Sequence, residues 1–147
     1  MLLETNERII RDQPWTLGLI EAMGAVDLLT KQRIETKNRM ALILLDSNIE
    51  IAMKEFIVNN KTLFPVMKYT DTAIMNLFKS RTNVITEVTA HVKIPTTTLA
   101  KINHYYGLRN KLIHERATVG ITDAQIADYR VTVEKVLRAL FRLKFPT

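Results

Sequence analysis

From Glu35 to Val58 the chain contains neither glycine nor proline and is apolar on nearly every side of a helical repeat. Met40 to Leu45 are followed by Ile49, Ile51, Ala52, Met53, Phe56 and Ile57. A helix with so little polar face belongs at the centre of a fold, covered by neighbours on several sides. That requirement selects a helical bundle over a sheet-based architecture. Asn59-Asn60-Lys61 ends the segment.

The flanking sequence supplies the neighbours. Pro14 suits the first turn of a helix carrying Trp15, Leu17, Leu19, Ile20, Met23, Val26 and Leu29. Leu63 to Val92 has weaker periodicity and reads as one or two shorter helices, breaking near Ser80 to Asn83. Pro95 and Thr96-Thr97-Thr98 open a strong helix through Leu99, Ile102, Tyr105 and Tyr106 to about Glu115. After a loop around Gly120, Thr122-Asp123-Ala124-Gln125 reads as a capping box. It opens a last helix with Ile126, Tyr129, Val133, Val136, Leu137, Leu140 and Phe141 on one stripe. With no repeat, low-complexity tract or linker, the expectation is one all-α domain over 1–147, a bundle of about five helices. Within it, residues 1–34 form a helical extension and residues 35–147 the core bundle.

Composition narrows the chemistry. With no cysteine there is no disulfide, thiol nucleophile or thiolate zinc site. No apolar run approaches the ~18 residues of a membrane span. Glu4, Glu7 and Asp12 are out of keeping with a signal peptide. A cytoplasmic protein without membrane association is the simplest expectation. The net charge of +6 is uneven. Residues 1–73 hold nine Lys/Arg against ten Asp/Glu, and residues 74–147 hold twelve against five. A basic half concentrates polyanions around any site it carries, and it is equally compatible with a soluble protein of high pI.

That basic half contains Arg109-Asn110-Lys111-Leu112-Ile113-His114. A guanidinium stabilises phosphate charge, and an imidazole moves protons near neutral pH. Arg109 shares a helix face with Ile102, Tyr105 and Leu112, so it leaves the apolar side, where a charge needs a partner or a polar cleft. The alternative is a plain salt bridge or a side chain snorkelling to the rim. His114 lies five residues on, about 140° round and roughly 7.5 Å along the helix. It is also placed to act only as a favourable charge at a helix C-terminus. Asp46 and Glu50, i and i+4 on the central helix, are candidates to hold Arg109 if their stripe is buried and not turned to solvent. Lys135, Arg138 and Arg142 form a basic stripe on the last helix, either a solvated face or, with Lys111, a phosphate track. Gly-rich phosphate loops and nucleophile elbows are missing, and His91, His104 and His114 have no metal-ligand spacing.

Arg, a polar residue and His at this spacing, late in a helix, resemble the signature of the HEPN superfamily (higher eukaryotes and prokaryotes nucleotide-binding). Ala41 to Glu50 is similar to the second long helix of abortive-infection HEPN proteins. The resemblance spans about residues 35–145. It implies a homodimer in which two Arg/His motifs face one cleft, which removes the difficulty of the angular offset. It further implies endoribonuclease activity without metal or cofactor, the 2′-OH attacking phosphorus to leave a 2′,3′-cyclic phosphate. In that scheme His114 is the acid/base, Arg109 stabilises the transition state and Asn110 orients phosphate or His114. The implied biology is a toxin or anti-phage effector acting on RNA, with an antitoxin or a larger defence protein as partner. Inactive relatives imply the alternative: a non-catalytic module that binds a nucleotidyltransferase, another defence protein or a nucleotide.

Overall fold

The apolar segment expected at the centre is the longest helix of the protein. A computed structural model describes residues 1–115 and 120–146. Its helices are α1 (Leu2–Thr5), α2 (Glu7–Asp12), α3 (Thr16–Thr30), α4 (Lys37–Asn59), α5 (Asp71–Leu77), α6 (Arg81–Thr89), α7 (Thr96–His114) and α8 (Asp123–Phe141). Among the described residues there is no strand, and no helix is long and apolar enough to cross a membrane.

The all-α expectation holds, but among the described residues eight helices stand where about five were expected. The four long ones, α3, α4, α7 and α8, match the strongly periodic segments. The extra elements are short. Ser80 caps α6 by accepting from the Asn83 amide at 3.2 Å, so the break falls where the sequence placed it. The first residues form two short helices parted at Asn6. This asparagine is fully buried and acts as a clasp. Its Oδ1 accepts from the Lys144 amide at 2.7 Å, and its Nδ2 donates to the Lys144 carbonyl at 2.9 Å.

Helix α4 packs against α3, α6, α7 and α8. Its inward face carries Leu42, Leu45, Ile49, Ala52 and Met53, each almost wholly buried. It is not covered on every side, however: Ile51 is 51% exposed. The apolar positions of α8 named from sequence are all buried, each side chain contributing about 1.5–3 kcal/mol by leaving water. Thr122 and Gln125 form the capping box with both reciprocal hydrogen bonds present. Residues 1–34 are no appendage. Leu19, Ile20, Met23 and Val26 of α3 belong to the same apolar core as α4, and the buried Asn48 donates to the Leu19 carbonyl at 3.0 Å.

Candidate active site at the Asp46 carboxylate

Asp46 sits at mid-length in α4 and is 1% exposed. A carboxylate at such a depth requires paired charge and several donors. Three elements meet that requirement. From the first turn of α6, Arg81 donates through Nη2 to Oδ1 at 2.8 Å and through Nη1 to Oδ2 at 3.1 Å. From α8, the Tyr129 hydroxyl donates to Oδ1 at 2.7 Å. From α7, Arg109 brings Nε to 3.6 Å from Oδ2. Two guanidiniums therefore face one carboxylate, and the group carries a surplus positive charge.

Aromatic rings brace this cluster. The Arg81 guanidinium lies 4.0 Å from the centroid of Tyr106, and Tyr105 stacks on Tyr129 with centroids 4.5 Å apart. Burial, reinforced by the Asp46 charge, raises the Tyr129 pKa, which keeps its hydroxyl protonated as a donor. Tyr105 donates to Asp128 at 2.6 Å, and Lys101 meets the other oxygen of that carboxylate at 2.6 Å. Burial first, and then this hydrogen bond, push the Tyr105 pKa up to about 12. The same pair of donors, Lys101 ahead of Tyr105, holds the Asp128 pKa below its ordinary value. Between α6 and α7 a groove of about 480 Å³, lined by Arg81, Thr86, Leu99 and Asn103 among others, adjoins the cluster through Arg81.

The residues singled out from sequence separate into distinct settings. Arg109 occupies the inward side of α7 beside the buried Ile102, Tyr105 and Leu112, as its spacing requires, with its side chain 29% exposed. Its Nη1 makes a long 3.4 Å contact to Oδ1 of the half-buried Asn110. His114 is the last residue of α7 and is exposed, so the two motif side chains leave the helix in different directions. Residues 116–119, just beyond it, lie outside the described residues. Asp46 is a partner of Arg109, but Glu50 is not. One turn further along α4, Glu50 reaches the half-exposed rim and pairs with Lys54 at 3.6 Å.

The basic stripe is also divided. Lys111 and Lys135 are exposed. Arg138 is drawn to Glu134 at 3.6 Å and donates to the Phe145 carbonyl at 3.1 Å. Arg142 is exposed and lies just past the last residue of α8. It caps α8 in the left-handed conformation (φ 61°), and the chain turns there so that Leu143 and Phe145 can bury. The other histidines pack on aromatic rings, His91 edge-on to Phe64 and His104 edge-on to Tyr105. Among the described residues no group of three His, Asp or Glu side chains is arranged to hold a metal ion.

Sequence reasoning missed Arg81 and took Tyr129 only as core. A signal for Arg81 was present. It follows the Ser80 cap directly, and a cation in the first turn of a helix opposes the helix dipole. Such a placement calls for a tertiary partner to hold it.

Compared with protein-family models, curated proteins and solved structures, the chain matches none of them.

Proposed function

We propose that the protein is a HEPN-type endoribonuclease that works as a homodimer, in a toxin or anti-phage defence role. The observation that carries this reading is the Arg109 guanidinium. It lies 3.6 Å from a buried carboxylate, is partly open to solvent, and belongs to a cluster with surplus positive charge. Such a group suits the charge that builds on a phosphate during transfer. Asn110 stands beside it, and His114 is exposed at the end of the same helix.

In the proposed reaction His114 accepts the proton of the RNA 2′-OH as the 2′ oxygen bonds to phosphorus. The P–O5′ bond breaks, the leaving oxygen takes up a proton, and the products are a 2′,3′-cyclic phosphate and a 5′-OH. Arg109 neutralises charge on the pentacoordinate phosphoryl group, and Asn110 orients it. Since Arg109 and His114 leave α7 in different directions, the reading places the second half of the site on a partner copy of the chain. The exposed Lys111 and Lys135 add non-specific attraction for the RNA backbone.

The second reading is a non-catalytic module that binds a nucleotidyltransferase, a larger defence protein or a nucleotide. Its support is that the Asp46 pairing accounts for an inward Arg109 without any chemistry. The two separate in one experiment: RNA and DNA of the same sequence are incubated with wild type, Arg109→Ala and His114→Ala. The ribonuclease reading expects loss of RNA only, and only with wild type. RNA left intact by wild type moves the conclusion to the binding module.

A further inference from the structure

The groups around Asp46 are engaged unequally. Arg81 takes both carboxylate oxygens at 2.8 and 3.1 Å, and Tyr129 adds a hydrogen bond at 2.7 Å. Arg109 stops at 3.6 Å, beyond hydrogen-bonding length, and its Nε is buried with no hydrogen-bond partner among the described residues. A charge-assisted bond between such groups closes to about 2.7–2.9 Å when nothing competes. Here the competition is visible: one full guanidinium already matches the charge of Asp46, and three donated hydrogen bonds take three of the roughly four acceptor positions on its oxygens.

We propose that Arg81 is a positioning residue for Arg109. By matching the charge of Asp46 and holding both of its oxygens, it weakens the pull of the carboxylate on Arg109, and it leaves the charge and terminal nitrogens of Arg109 available to an anion. Arg81 is well fixed for this task. Its side chain is only 11% exposed, and the Tyr106 ring packs against its guanidinium. Without Arg81, the buried Asp46 retains one hydroxyl donor and a nearby guanidinium whose Nε has no hydrogen-bond partner. The cost of an unmatched buried charge then drives Arg109 the short remaining distance inward. Asp46 serves to anchor Arg109 only while Arg81 holds it. That the anion is an RNA phosphate rests on the ribonuclease reading above, whereas the availability of Arg109 does not.

The test is modification of the folded protein by phenylglyoxal, with adducts at Arg109 counted by peptide mass spectrometry. Wild type is expected to react readily at Arg109. In Arg81→Gln the rate at Arg109 is expected to fall several-fold, and in Arg81→Gln/Asp46→Asn to recover, because the carboxylate that captures Arg109 has gone. A merely structural role for Arg81 gives the opposite pattern: faster modification in a loosened fold, with no recovery in the double variant. Equal rates in wild type and Arg81→Gln also overturn the proposal. Should circular dichroism show Arg81→Gln unfolded, Arg81→Lys keeps the charge but cannot bridge both oxygens, and a smaller decrease reversed by Asp46→Asn is expected. The same proteins are assayed on RNA. No cleavage by wild type overturns the ribonuclease reading, and the labelling pattern still decides the role of Arg81.

Discussion

Arg81 and Asp46, 35 residues apart in sequence, form a two-pronged ion pair at 2.8 and 3.1 Å that ties α6 to the central helix. Through this pair the fold and the candidate site depend on one another. The carboxylate that fastens α6 and α8 to α4 is also the one beside which Arg109 is held.

Removing the carboxylate alone is expected to be costly. Asp46→Ala leaves the Arg81 guanidinium, 11% exposed, and the Tyr129 hydroxyl without their acceptor. Breaking one side of a buried pair costs about 3–5 kcal/mol. Urea denaturation followed by circular dichroism measures it, and a loss below about 1 kcal/mol is what a surface pair gives.

Stability is expected to fall at high pH. Tyr105 ionises near 10.0 when unfolded and near 12 in the folded chain. Across that interval the folded state binds more protons, so this contribution is complete below pH 10 and is lost as pH rises towards 12. Tyr129 adds to the loss in the same direction, since its pKa is raised as well. Tyr105→Phe should flatten part of the decline when denaturation midpoints are compared across the alkaline range. An unchanged slope means that Tyr105 is not buried against Asp128.

Two isoleucines of α4 test the covering of the central helix. Ile49 is fully buried and Ile51 is 51% exposed. Ile49→Ala is expected to cost about 2–5 kcal/mol. Ile51→Ala is expected to change stability by only about 0.5 kcal/mol. Equal losses in equilibrium unfolding would mean that Ile51 is covered in solution.

Arg142 holds a left-handed conformation in which an L side chain is strained by about 1–2 kcal/mol, at a helix cap where glycine is usual. Arg142→Gly is therefore expected to raise the melting temperature. A fall would show that the side chain makes a contact worth more than the strain.

What could be read in the sequence was whatever depends on near neighbours. The stripe from Ile126 to Phe141 and the Thr122–Gln125 box follow from helical spacing and capping chemistry, and both are present. The inward placement of Arg109 follows from its register with Ile102, Tyr105 and Leu112. Asp46 could be nominated because it is an acid on an apolar helix. Glu50, one turn away, qualified on the same ground, and only the rim of the bundle separates them. Asn6 was not legible, and for Arg81 only the need for some partner was, from its place behind the Ser80 cap. Their partners, Lys144 and Asp46, are distant in sequence, and neither residue interrupts a strong periodic pattern. The offset of Arg109 from His114 was also legible, and it is what makes a second copy of the chain part of the proposed site.

The chemistry of the RNA ends gives the most direct decision. Purified protein is incubated with a defined RNA in excess chelator, and the product termini are identified. Wild type should leave 2′,3′-cyclic phosphate and 5′-OH ends, and Arg109→Ala and His114→Ala should each leave the RNA intact. Intact RNA with wild type, 3′-OH and 5′-phosphate ends, or cleavage that survives both substitutions would rule out Arg109 and His114 as a ribonuclease site.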